Sequence, residues 1–201
     1  DGLFYESENE EVERELPSHE VTCQEFYIGQ CEVTNKQYEL FLKETGLEEH
    51  NEQSVGIDWG TLPVSNVSLN DAIKFIKWLK GKLHLEVKLP TEEEWEWAAR
   101  GDKNLKYPWG NYYPELKEEY GHWGDKHGGP VKVGSYEKGK SWCGSFDMSG
   151  NVSEWMGNRY YSYSDDSAAR STKKHVSRGG SYVSDIVDVR TSSRYIMNSD
   201  S

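Results

Sequence analysis

Gly144-Ser145-Phe146-Asp147-Met148-Ser149-Gly150-Asn151-Val152-Ser153-Glu154-Trp155 is the stretch on which the reading of this chain turns. Ser177-Arg178-Gly179-Gly180-Ser181-Tyr182 answers it downstream. Glycine permits positive φ and close backbone approach. Asn and Glu side chains turned inward can then act as turn locks or as oxygen ligands for a hard cation such as Ca2+. Both readings stand at this point. Under either, this knot organises the core and the segment after Arg178-Gly179-Gly180 is displayed upon it.

Working outward, 201 residues suffice for one domain with a substantial core. The net charge of -12 argues against a nucleic-acid binder and is explained by solubility alone. No apolar run predicts a membrane span and no signal peptide is legible. Cys23, Cys31 and Cys143 form neither a disulfide framework nor a zinc pattern. Cys23 and Cys31 can pair only if two strands set them side by side. Eight Trp and thirteen Tyr promise an aromatic core with polar handles tied down.

Residues 1–19 are acidic and read as a loop or lead-in. Val21 to Cys31 reads as a strand through Val21, Phe26, Tyr27 and Ile28. Thr34 caps a helix from Asn35 to Thr45, with Tyr38, Phe41 and Leu42 inward and Gly46 as its stop. Ser68 caps a second helix over Leu69 to Lys82, with Ala72, Ile73, Ile76 and Leu79 as the apolar face. Val87 to Pro90 is extended. Thr91 and Glu94 make a capping box for a third helix, stopped by Gly101, and the acidic run Glu92 to Glu94 suits its dipole.

Beyond Gly101 no helix is predicted. Tyr107 to Asn111 is a turn, Pro130 to Gly134 a short strand, and Trp155 to Tyr163 and Tyr182 to Tyr195 are strand or loop. The class is α+β. A loop-rich stretch this long is unusual inside one domain and is often functional.

Glu32-Val33-Thr34-Asn35, Leu62-Pro63-Val64, Leu89-Pro90-Thr91-Glu92-Glu93-Glu94-Trp95, Tyr107-Pro108-Trp109-Gly110, Gly150-Asn151-Val152-Ser153-Glu154-Trp155 and Arg178-Gly179-Gly180-Ser181 run in this order along nearly the whole chain. Together they resemble the formylglycine-generating-enzyme (sulfatase-modifying factor) family. The resemblance implies that family's C-type lectin fold, with few helices, a small antiparallel sheet and much irregular structure. The enzymes of the family hold copper through two cysteines beyond the Arg-Gly-Gly-Ser motif, as soft thiolates suit Cu(I). Here no cysteine follows Cys143 and no histidine follows His175. The oxidase chemistry therefore does not carry over. The sulfoxide synthases of the family need a further histidine-bearing domain that nothing here resembles. The family's opening strand and its Gly-Phe-Arg ending are also missing from these residues.

Within the same fold, the chain is similar to the variable proteins of diversity-generating retroelements. These are diversified at adenines after Arg-Gly-Gly-Ser, which excludes Lys, Glu, Gln and Trp at changed positions. Residues 181–201 contain none of the four. The resemblance implies a non-catalytic scaffold for a protein or cell-surface ligand, on a surface-displayed or extracellular protein.

Its changeable face would be Tyr182, Val183, Ser184, Asp185, Ile186, Val187, Asp188, Val189, Tyr195, Ile196, Asn198, Ser199 and Asp200. Arg190, Thr191, Ser192 and Arg194 would be scaffold, and Tyr160, Tyr161 and Tyr163 belong either to that face or to the core. Tyr gives rigid contact area; Ser, Asp and Asn give adaptable hydrogen bonds. The resemblance also implies structural calcium at Asn151, the Val152 carbonyl and Glu154. The family's upstream calcium loop looks altered between Tyr120 and Gly129.

Two other classes remain. A catalytically inactive relative could serve as an assembly subunit, with a fixed C-terminal surface and an obligate partner. A hydrolase would need a nucleophile and base, for which His122 or His127 near Asp125 is the thin candidate.

Overall fold

The computed structural model describes residues 13–47, 58–114, 119–125, 127–164 and 173–198. Three helices precede one small sheet. Helix α1 (Asn35–Thr45) and helix α3 (Glu92–Arg100) each open on a complete capping box, Thr34 with Gln37 and Thr91 with Glu94. Helix α2 (Leu69–Leu83) is capped by the Ser68 side chain. Each cap satisfies amide donors that a helix start leaves without intrahelical partners. Gly46 ends α1 in the left-handed conformation, its N–H donating to Leu42 O.

The α2 face differs from its expected orientation. Leu69 and Phe75 are buried, while Ile73 is half in solvent. Phe75 sits 5.7 Å from the Tyr38 ring and 5.5 Å from Phe41. Packing those larger rings together sets the helix rotation.

Strands β1 (Glu154–Arg159), β2 (Lys174–Arg178) and β3 (Tyr195–Asn198) form an antiparallel sheet in the order β1-β2-β3. Met156 and Val176 point inward onto Trp95, Ala98 and Ala99 of α3, with Met148 of the glycine-rich stretch beside them. A second cluster joins α1 to α2, and a third gathers Tyr107, Trp123 and Val189.

Two expected strands do not form. Val21 to Cys31 is extended but has no strand partner among the described residues. Phe26 and Ile28 pack on the α3 cluster, and Gln30 O receives the Phe146 N–H. Hydrophobic anchoring replaces a ladder there. Cys23 and Cys31 are accordingly free thiols. Pro130 to Gly134 sends its N–H groups to unlike partners: Val131 to Asn151 Oδ1, Val133 to Thr61 O, and Gly134 to Asp147 Oδ2. Two of the three are side chains, so no ladder can propagate. Residues 182–194 form a loop before β3. Of the acidic lead-in, residues 1–12 lie outside the described residues. No helix among the described residues is long and apolar enough to cross a membrane.

Candidate functional site

The knot is built around Asn151, at φ 60° and almost wholly buried. Its N–H donates to His122 O, its carbonyl accepts from Tyr182 N, and its Oδ1 accepts from Val131 N. Its Nδ2 donates to Glu32 Oε2 and Val131 O. One residue thus ties four distant segments together, two through its backbone and two through its side chain. Gly150 beside it donates to Gly179 O, and the Asn151–Tyr182 bond fixes where the displayed loop begins.

These bonds account for the turn-lock reading of the knot. The Asn151 oxygen that would face a cation is taken by a backbone N–H. The Val152 N–H donates to Glu32 Oε1. Glu154 lies in β1, its carboxyl near the Trp95 indole. Among the described residues no group of three or more His, Cys, Asp or Glu has metal-holding geometry. Asn151 thus works as a turn lock, and its Oδ1, one of the calcium donors the resemblance implies, already accepts the Val131 N–H.

Three carboxyls gather beneath it. Burial pushes Glu32 well above the usual range, aided by the charges of Asp147 and Glu154 and by a hydrogen bond to the Asp147 carboxyl. Asp147 is raised by burial, against the Gly134 N–H and Glu32, which favour its charged form. The hydrogen bond between the two carboxyls acts on them in opposite senses, raising Glu32 and lowering Asp147. Burial pushes Glu154 up to about 7, with the Trp95 indole favouring the charged form and Asp147 opposing it.

The native state therefore keeps protons that the unfolded chain has released. Rising pH favours unfolding between the ordinary Glu value of 4.5 and about 7. Urea midpoints are expected to fall from pH 5 to pH 7.5, and Glu154→Gln should flatten that fall. A midpoint rising over this interval would contradict the assignment.

The acidic first turn of α3 does more than suit a dipole. Glu92 is fully buried between two fully buried arginines. Arg194 donates from Nε to Oε2 at 2.6 Å and from Nη2 to Oε1 at 2.9 Å; Arg178 Nη2 donates to Oε2 at 3.0 Å. Arg178 also donates through Nη1 to the carbonyls of Thr191, Ser192 and Ser193. Tyr160, Tyr161 and Tyr163 surround the Arg194 guanidinium, at 4.9, 5.6 and 3.9 Å from their ring centres. That cluster is their place in the fold. The helix-start reading of Glu92 was too small. The only sequence signal for this role was an Arg on either side of the displayed segment, with no indication of distance.

The displayed loop is held mainly by its backbone. Gly124 N–H donates to Ser184 O, Asp125 N–H to Tyr182 O, Ser149 Oγ to Val189 O, and Thr191 N–H to Lys106 O. Val183 (58% exposed) and Asp185 face solvent, and Tyr182, Ser184, Ile186, Val187 and Asp188 are half-buried. Val189 is a correction: it is 0% exposed and packs with Tyr107 and Trp123. Alternation along a predicted surface segment gives no hint that one valine turns into an aromatic pocket.

Tyr195 and Ile196 are half-buried on β3, opposite Ser177 and Val176, and Asn198 is exposed at its end. The Tyr195 hydroxyl donates back to Asp188 O. Ser199 and Asp200 lie outside the described residues. Arg190 pairs with Glu15 at 2.8 Å, and Thr191 is buried with its hydroxyl donating to Leu105 O, as scaffold residues would. His122 is buried, with Nε2 bonded to Gly129 O. Its ring lies 5.0 Å from His127 and 6.0 Å from Tyr182.

Residues 1–201 match the sulfatase-modifying factor enzyme 1-like domain. Hercynine oxygenase of Mycobacterium tuberculosis is 28% identical over 178 residues, covering 72% of this chain and 40% of that protein. The inactive C-alpha-formylglycine-generating enzyme 2 of Bos taurus is 36% identical over 132 residues, covering 60% and 38%. The chain thus spans about two fifths of the length of these two relatives, one named as an oxygenase and the other as inactive. Among solved structures, Treponema denticola variable protein 1 superposes with a TM-score of 0.69 at 24% identity, covering 85% of this chain and 78% of that one. PvdO from Pseudomonas aeruginosa also reaches 0.69, at 20% identity, over 85% and 73%. The α+β fold with few helices and a small antiparallel sheet is common to this group.

Proposed function

The chain belongs to the sulfatase-modifying factor enzyme 1-like family, and from that premise we propose that it is a single-domain, non-catalytic binding scaffold of the variable-protein kind. Its ligand face is the loop 182–188 with the outer end of β3, and its ligand is a protein or cell-surface molecule. One observation carries this reading: the bonds that anchor the loop from outside reach its main chain. Main-chain anchors are indifferent to which side chain each position bears. Val183, Asp185 and their neighbours can therefore change while the loop keeps its path, as a paratope requires. The fold likeness to the Treponema variable protein and the absence of any cysteine after Cys143 support the same reading.

A triple replacement of Val183, Asp185 and Val187 by serine, tyrosine and threonine is expected to shift stability little, within about 1 kcal/mol, since none of the three belongs to a core cluster. Val189→Asp, which buries a charge in an apolar pocket, should unfold the protein. Denaturation of the two variants checks both. Collapse of the triple variant would remove the basis of the proposal. In the coding DNA, a near-copy of the last segment differing at adenines, beside a reverse-transcriptase gene, is the expected genetic counterpart.

The inactive bovine relative favours a second reading, an assembly subunit with a fixed surface. Natural copies of the gene that never differ within 182–200 would support that one instead.

A further inference from the structure

Away from the displayed loop, a cleft of about 1500 Å³ opens between the extended segment 18–26 and the outer face of α3. Six carboxylates and two indoles stand among its walls. Trp97 and Trp142 are 43% and 56% exposed in it, with ring centres 5.7 Å apart and planes at 75°. The corner they form is fixed in place. The Trp142 indole N–H donates to Trp97 O at 2.7 Å, and its ring lies on Gly101, where a Cβ would come within 2.9 Å. Cys143 beside it donates its thiol to Ala98 O. Apolar rings are costly to leave in water, and two held as an open right-angled corner have a shape suited to a guest.

The charge around the corner identifies the guest. Glu20, Glu25 and Asp102 line the cleft, are exposed, and pair with no cation among the described residues. Glu93 and Glu96 stand on the same wall, the first accepting from the Tyr161 hydroxyl and the second paired with Arg100 and Arg178, so the unpaired charge among the described residues is that of Glu20, Glu25 and Asp102. The wall's own guanidinium, Arg100, is already bound by Glu96 Oε1 and Asn104 Oδ1. Aromatic faces attract cations, most strongly beside carboxylates that complement the charge. The volume exceeds the range of about 300–1,000 Å³ typical of small-molecule pockets. We propose that this cleft binds a basic peptide segment and seats an arginine or lysine side chain in the Trp97–Trp142 corner. This site is separate from the loop 182–188 and stands whether or not that loop proves to be a ligand face.

The test titrates the whole chain with a short peptide alternating arginine and glycine, following tryptophan fluorescence and the rate at which a maleimide labels Cys143. Saturable quenching with slowed labelling is expected. A citrulline version of the peptide, neutral but similar in shape, should do neither. Trp142→Ala, and separately Glu20→Gln with Glu25→Gln, should each weaken binding roughly tenfold, the scale of a cation–π contact or of lost charge pairs. The glutamine variants alter exposed side chains with no partner in the described structure and so keep the fold. Equal binding of the citrulline peptide would overturn the proposal. So would binding that both variants leave unchanged, since the chain's net charge alone would then explain it. Spermidine giving the same saturation and the same labelling protection would assign the cleft to a small polyamine and also overturn the peptide proposal.

Discussion

Glu92→Ala is expected to destabilise the protein by about 3–5 kcal/mol, because it strands two guanidinium groups in the interior. Arg178 and Arg194 are both fully buried, and Glu92 is the carboxylate that both share. Arg178 would retain Glu96 at 3.0 Å; Arg194 would lose both carboxylate contacts and keep only carbonyls and tyrosine faces. In a domain of this size the loss should lower the melting temperature by on the order of 10 °C. A second substitution separates buried charge from lost packing. Adding Arg194→Met to Glu92→Ala removes the more exposed consequence of the first change, an unpaired cation. The double variant should therefore melt above the single one, a coupling visible in a double-mutant cycle. A melting temperature for Glu92→Ala within a degree or two of the parent would contradict this account of the network.

The network also holds the end of the loop 182–194. Through Arg178 the same charge cluster holds the carbonyls of Thr191, Ser192 and Ser193, which return the loop to β3. Glu92→Ala should therefore loosen the loop's exit before the rest of the chain unfolds. Hydrogen exchange at residues 191–193 ought to rise more than exchange in α1.

The second large effect belongs to Gly150→Ala. A Cβ there would lie 2.1 Å from the His122 carbonyl oxygen and 2.8 Å from its carbon, atoms of backbone that cannot swing aside. The position also holds φ at 91°, where an L side chain is strained. Gly144 supplies the matched control: φ is 93° and a Cβ would meet nothing within 4 Å. Gly144→Ala should cost only the conformational part, about 1–2 kcal/mol. Gly150→Ala should cost several kcal/mol more, since the strand-like contact between His122 and Gly150 must separate. Urea denaturation of the two variants measures the difference. Equal losses would mean that backbone conformation alone, and not close approach, explains the glycine.

Much of the fold was legible because its signals are local. Thr34 with Gln37 and Thr91 with Glu94 are capping boxes within four residues, so α1 and α3 could be placed from the chain alone. The turn at Tyr107 to Gly110 is likewise closed by its own two backbone bonds. Val21 to Cys31 failed for the complementary reason. Strand-forming residues make an extended segment, but a strand needs a neighbour, and neighbours are supplied by tertiary structure. Val189 and Ile73 were misplaced for want of the same information: each lies in a segment whose inward side is chosen by aromatic rings far away in sequence.

By itself, the order of residues determined the family, the three helices and the glycine–asparagine knot from which the last loop departs, since motif order, caps and turns are encoded over a few neighbours. Only the folded chain decided that Asn151 is a lock joining four segments, that Glu92 is the shared counter-ion of two buried arginines, and that Val189 is core. Each of those depends on the desolvation of a group by residues tens of positions away, and that distance is collapsed by folding alone.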